Sequence, residues 1–366
     1  MESKSEAADI TCSHATDLVE SACFDADSTA IKISRVLPYV FIIMFSVTGN
    51  ILVALVVFRL RSMRRAVNFF IVNMAMSDLL ITVIYMPRVI SILLAGYKWL
   101  SPGIAGTVFC KLVYFIHETA LSVSIFSAVC ISGERFLAVV RPLKSLAKNT
   151  KPARCLIALT WIVSLAMRFP ILLANRTAES CGKTYCDLFL DEVFWSGSSV
   201  IYHKINLIGM YATPLGVMIA LYFVTVLTLR RRNRPGNTIA TEATAPSETT
   251  NRKVSRMVLA VISAFLLSWV LYFIIAVVES YDVTIPCNVL YVRLLLAHFN
   301  CALTPMLYAL FSENYRRAFK NILFGCPCFR EKRGRAATLN RGVEFQEEVK
   351  SREHPRERGE TAIEIL

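Results

Sequence analysis

Seven long apolar runs constrain this chain more than any other feature of its sequence. A helix needs about 20 successive apolar residues to cross a bilayer, and only structures that satisfy their own backbone hydrogen bonds survive there. Runs of that length lie near 36–59, 69–94, 108–140, 154–174, 203–229, 255–279 and 289–311. With 55% of its 366 residues hydrophobic, the chain is no ordinary soluble domain. The expected fold is an all-α membrane protein, a bundle of seven transmembrane helices. The third run exceeds what a bilayer requires, so it should tilt or protrude.

Charge sets the expected orientation. Arg59, Arg61, Arg64 and Arg65 follow the first run; Arg141, Lys144, Lys148 and Lys151 follow the third; Arg230, Arg231, Arg232 and Arg234 follow the fifth. Basic connections stay cytoplasmic, which puts the N-terminus outside. The net charge of +13 follows from this bias, and nucleic acid is not an expected partner. The first 30 residues lack the pattern of a cleavable signal peptide and are acidic. The expected organisation is an extracellular segment over 1–35, a membrane domain over 36–311, a short amphipathic helix over 312–325 and a cytoplasmic tail over 326–366. In that short helix Phe311, Tyr315 and Phe319 share one face, opposite Arg and Lys. Residues 233–251, with Pro235, Gly236 and Pro246, read as a disordered loop.

Within the spans, polar residues stand out because hydrocarbon penalises them. Glu134-Arg135-Phe136 ends the third run, where a charged pair belongs at the membrane edge. Asp78, in mid-membrane, needs partners, and Asn50, Ser124, Asn300 and Thr304 are the polar candidates. Pro305 removes a backbone hydrogen bond and can act as a hinge, with Tyr308 three residues on. Glu118 beside His117 is a buried carboxylate that is costly without a partner. Six cysteines, Cys12, Cys23, Cys110, Cys181, Cys186 and Cys287, fall on the oxidising side, and their pairing is not legible from spacing. Asn175-Arg176-Thr177 is a glycosylation sequon.

Together these motifs resemble the rhodopsin-like (class A) G-protein-coupled receptors over about residues 36–325. Gly49-Asn50, Trp161, Pro214 with Tyr222, and Phe265 with Trp269 fall where that family has its anchors. The resemblance implies activation switches at Glu134, Arg135, Phe136, Tyr222, Phe265, Trp269, Thr304, Pro305 and Tyr308. It implies a polar network of Asn50, Asp78, Ser124, Asn300 and Thr304 around a Na+ ion ligated by Asp78. It also implies a Cys110–Cys186 disulfide and palmitoylation of Cys326 and Cys328; a bridge from Cys23 or Cys12 to Cys287 would resemble one seen in several peptide receptors. The chain departs from the family at Phe136 (usually Tyr), Thr304 (usually Asn or Asp) and Leu271 (usually Pro). Near Asn251, Arg252 and Ser255 there is no acid to pair with Arg135, which leaves Glu134 as its restraint.

The ligand class follows from the same comparison. His117 stands where amine receptors place Asp, and His298 where opsins place their Schiff-base Lys. The stretches 109–113 (Phe-Cys-Lys-Leu-Val), 185–189 (Tyr-Cys-Asp-Leu-Phe) and 311–320 (Phe-Ser-Glu-Asn-Tyr-Arg-Arg-Ala-Phe-Lys) look like those of neuropeptide receptors. The expected pocket comprises Arg88, Tyr114, His117, Glu118, Leu121, Tyr272, Phe273, Glu279, Leu294 and His298. Asp187, Asp191, Glu192, Glu279 and Asp282 predict a negative mouth, only partly offset by Lys98, Lys111, Arg176 and Lys183. A negative mouth steers cations, so the expected ligand is a short basic peptide approaching Glu118 or Glu279. Expected partners are heterotrimeric G proteins, arrestin, receptor kinases and membrane lipids, at the plasma membrane. The alternatives are a lipid or other small non-amine ligand and, more distantly, a seven-span transporter or membrane enzyme; no catalytic constellation is read, and no enzymatic activity is expected.

Overall fold

The structure, a computed structural model, describes residues 23–25, 27–140, 151–180, 182–232 and 245–324. Seven helices are long and apolar enough to cross a membrane. They are α1 (Thr29–Arg59), α2 (Ala66–Ala95), α3 (Gly103–Val140), α4 (Lys151–Ala174), α5 (Ser198–Thr228, with helix continuing to Arg232), α6 (Ala245–Glu279) and α7 (Cys287–Phe311). A shorter helix, α8 (Glu313–Phe324), follows. The chain divides into two units, residues 1–316 and 317–366, and the seven spans all belong to the first. The helices begin earlier than the apolar runs do. In α1 the turn begins at Thr29 because the Ser28 side chain caps it, accepting from the Ile31 amide at 3.4 Å. Hydropathy marks only the part of a helix that hydrocarbon covers; capping marks its end.

Many residues facing inward are small or polar, beside buried rings such as Phe70 and Trp269, and many large apolar ones face out. Ser46, Asn50, Ser77, Ser122, Ser124, Ser127 and Ser164 are buried, whereas Phe41, Met44, Phe45, Phe223 and Leu267 are exposed. Lipid removes the hydrophobic drive between helices, so close packing and interhelical hydrogen bonds hold the bundle instead. One such seam joins α2, α3 and α4: Asn73 donates to Ser127 at 2.8 Å and Thr160 at 3.3 Å, and accepts from the Trp161 indole at 2.9 Å. Trp161 is therefore an interhelical tie.

Prolines explain the irregularities. A proline ring clashes with the carbonyl four residues earlier and cannot donate to it. For Pro87 and Pro214 those carbonyls belong to Val83 and Met210, and each lies inside a π-helical stretch, Ile81–Tyr85 in α2 and Leu207–Ala212 in α5. The wider turn absorbs the clash. Pro305 leaves the Cys301 carbonyl free, and Asn50 of α1 donates to it at 3.0 Å. The two helices meet there because residue 49 is Gly: a Cβ on it would lie 2.6 Å from Pro305 Cγ. Gly49, Asn50 and Pro305 thus form one packing unit.

Between α4 and α5 the chain forms an antiparallel hairpin, β1 (Asn175–Ser180) with β2 (Lys183–Leu188), registered from Asn175↔Leu188 to Ser180↔Lys183. Gly182 supplies the positive φ of 69° at its two-residue turn. Sequence patterning did not reveal these short strands. The Cys110–Cys186 disulfide pins β2 to α3, and Cys23–Cys287 ties the segment before α1 to the start of α7. Cys12, Cys181, Cys326, Cys328, residues 233–244 and the tail beyond 324 lie outside the described residues, whereas 245–251, expected to belong to a disordered loop, form the first turns of α6.

Candidate functional site

At the disulfide-bearing end, rings from α1, α2, α3, α6 and α7 converge. Tyr85 stacks on His117 with centroids 3.8 Å apart and packs edge-on against Tyr114 at 5.6 Å. His298 lies 5.7 Å from His117, and its Nδ1 sits 3.2 Å from the Tyr39 hydroxyl. Both imidazoles are buried, and their Nε2 atoms have no hydrogen-bond partner among the described residues. Leu121 is fully buried, and Phe273 packs against Tyr272 and Trp269. Tyr114, His117, Tyr272, Phe273, Leu294 and His298 are thus brought into one region, joined by Tyr39 and Tyr85.

Glu118 is not short of partners. Arg168 of α4 reaches its Oε2 at 3.2 Å, the Tyr272 hydroxyl donates to Oε1, and His117 Nδ1 lies 3.4 Å from Oε1. Arg168 also donates to Ser122 at 2.8 Å, Asn206 at 2.6 Å and Tyr202 at 3.3 Å. This buried network crosses α3, α4, α5 and α6. The rule that singled out Asp78, that a charge within a span needs a reason, would have found Arg168 too.

Several of the other acids are also engaged. Glu279 pairs with Arg293, Glu192 with Arg176, Asp27 with Arg35, and Asp25 with Lys98 and Lys183. Asp191 accepts from the Ser198 hydroxyl and the Ser199 amide. Two of the expected mouth acids, Glu192 and Glu279, thus each sit on an arginine, because sequence counts charges without showing which ones touch. Arg88 is likewise used elsewhere. It donates to the Tyr97 and Lys98 carbonyls at 2.8 and 2.9 Å and lies over the Trp99 ring, holding the α2–α3 connection. Asn175 is buried at the hairpin base, so the folded chain does not present its sequon nitrogen. Burial alone would raise the Asp25 carboxyl, but hydrogen bonds from Lys98 and Lys183 outweigh it and hold the group below the usual range. The same hydrogen bond to Asp25 raises the Lys183 ammonium.

Beneath the rings, Trp269 contacts Tyr272 at 5.3 Å and Phe265 at 6.4 Å. Ser124 donates to Asp78 Oδ1 at 3.4 Å, while Asp78 Oδ2 and Asn50 Oδ1 are buried without a hydrogen-bond partner among the described residues. Thr304 donates to the Asn300 carbonyl at 3.0 Å, and both side chains are buried. Unsatisfied oxygens are the donors a hard cation takes, so the residues fit a Na+ ion. Tyr308 packs onto Tyr315 at 5.5 Å and points its hydroxyl at Met74. At the far end of α3, Glu134 is buried and Arg135 lies 3.8 Å from it, a loose pair; Phe136 and, on α5, Tyr222 are half-buried.

Seven spans, a bridge from α3 to the hairpin, a charged pair near the far end of α3 and a proline within α7 fit a membrane receptor. Residues 49–308 match the 7 transmembrane receptor (rhodopsin family), and the chain belongs to that family. It is thus a multi-pass plasma-membrane receptor and not an enzyme. Among its relatives are the Allatostatin-A receptor of Bombyx mori, 31% identical over 86% of this chain and 85% of that one. The Substance-K receptor of Homo sapiens is 28% identical (79% and 72% covered), and the Somatostatin receptor type 4 of Rattus norvegicus is 27% identical (89% and 82%).

Proposed function

We propose that this chain is a receptor activated by a neuropeptide and signalling through heterotrimeric G proteins. The observation that carries this reading is the similarity, across most of the chain, to receptors named for allatostatin-A, substance K and somatostatin. The hairpin pinned by Cys110–Cys186 supports it, as does a ring-lined region whose buried carboxylate, Glu118, already has its cation. That pairing argues against an amine. It also moves the expected ligand charge: a basic peptide group meets Glu118 or Glu279 only by competing with Arg168 or Arg293. The peptide would contact Tyr114, His117, Tyr272, Phe273, Leu294 and His298. The disulfide end faces outside, and Arg135 with the basic connections faces the G protein. Arrestin and receptor kinases would meet the same inner side, and Na+ held by Asp78 would favour the resting state.

The test is nucleotide exchange on purified G protein, driven by the reconstituted chain and a panel of synthetic peptides that includes the three named above. A lipid panel is run in parallel. Stimulation by a peptide is the expected result. Stimulation by a lipid, with every peptide silent, would overturn the reading.

A further inference from the structure

The segment Cys23–Asp25 sits over the corner of α1, α2 and α7, and five observations show that it is built into that corner. Phe24 is 2% exposed, packed in one apolar cluster with Tyr39, Leu93, Leu290 and Leu294. The Arg35 guanidinium covers its ring at 4.9 Å. Its backbone takes φ 72°, a left-handed conformation that side chains of its bulk rarely adopt and that persists only when surroundings enforce it. Before it, Cys23 is bonded to Cys287. After it, Asp25 is clamped by Lys98 at 3.2 Å and Lys183 at 3.3 Å, and a Cβ on Gly96 would press on Asp25 at 3.3 Å.

We propose that this corner is an aromatic-binding subsite of the receptor's mouth, that Phe24 is its resting occupant, and that an aromatic side chain of a ligand enters by displacing Phe24. The chemistry is specific: an aliphatic floor favours a ring, and a guanidinium above it favours an aromatic face over an aliphatic chain. The same cluster contains Tyr85 and borders Tyr114 and Tyr272, so the subsite is continuous with the ring-lined region below. Three fasteners from different elements (the α7 disulfide, the α2–α3 connection and the hairpin) hold the plug. A ligand that touched the hairpin would therefore loosen one fastener as it arrived.

The biological use of the subsite rests on the peptide-receptor reading, but its test needs no ligand, so failure here leaves that reading standing. The full chain carrying Leu294→Cys is reconstituted in lipid nanodiscs and exposed to a charged methanethiosulfonate reagent. Modification at position 294 is followed by peptide mass mapping. Adding Phe24→Ala should speed modification about tenfold or more, the scale of losing one buried aromatic ring. Phe24→Tyr should leave the rate within about twofold. In the Phe24→Ala background, millimolar N-acetylphenylalanine amide should slow the reaction, and N-acetylalanine amide should not. Where Phe24→Ala does not fold, the pair Cys23→Ser and Cys287→Ser releases the tether and should also speed modification. Equal rates with and without the plug or its tether would overturn the proposal. Protection by both amides alike would overturn the aromatic assignment.

Discussion

Arg168→Met tests whether the buried network around Glu118 is a coupled unit. Arg168 is 1% exposed, and the Glu118 side chain 14%. Removing one member of such a pair leaves an uncompensated charge away from water, which typically costs about 3–5 kcal/mol. Arg168→Met also takes a donor from Ser122, Tyr202 and Asn206, adding about 1 kcal/mol for each group left unsatisfied. Glu118→Gln keeps an oxygen for Tyr272 but leaves the Arg168 guanidinium uncompensated, a loss on the same scale of about 3–5 kcal/mol. The double variant removes both charges and should recover much of the deficit, with a coupling of about 2–3 kcal/mol. Unfolding of the ligand-free chain by a denaturing detergent in bicelles gives all four corners of the cycle. Because the network joins α3, α4, α5 and α6, the single variants should also change basal nucleotide exchange, and the double variant should restore it. Additivity within about 0.5 kcal/mol would refute the coupling.

Gly49→Ala would force a Cβ against Pro305, so it should destabilise the bundle by about 1–3 kcal/mol in the same unfolding assay, whereas Gly209→Ala, in open space, should not. Glu134→Gln should raise basal nucleotide exchange by freeing Arg135, and Arg135→Ala should nearly abolish agonist-driven exchange at normal surface expression; intact exchange in the latter would remove Arg135 from the switch. The Asp25 clamp has a folded-state carboxyl below its usual value, so its contribution is present above the ordinary carboxylate range and lost as pH falls through the lowered value. Lys98 and Lys183 face that carboxyl, the Lys32 ammonium donates to its backbone carbonyl, and Lys183, raised by Asp25, loses its contribution only as pH rises through its elevated value. Modification of the thiol introduced by Leu294→Cys should therefore be flat across about pH 5–9, after correction for reagent chemistry, and rise in acid. Cys110→Ser should unpin the hairpin and lose peptide response, with Cys186→Ser matching it.

Hydrophobicity over seven runs determined the spans, because a bilayer imposes one length on every helix and tolerates no exposed backbone. Motif spacing likewise brought out Glu134 with Arg135 and Pro305 with Tyr308, since each pair is fixed by a rule that acts within or between neighbouring turns; Asp78 stood out by itself as a charge in mid-span. Cys110 with Cys186 was legible through resemblance alone. The π-helical stretches before Pro87 and Pro214 were open to inference from the prolines, yet hydropathy passes over them. What only the tertiary structure decided was partnership across long separations. Glu118 and Arg168 are 50 positions apart, and nothing local in either sequence says that α4 delivers a guanidinium to α3. Over shorter separations the fold likewise decided Glu279 with Arg293, Arg88 on the Tyr97 carbonyl, and Phe24 beneath Arg35. Composition gave a negative mouth; contact put Arg176 on Glu192 and Arg293 on Glu279, because electrostatic energy depends on separation and burial, and a sequence states neither.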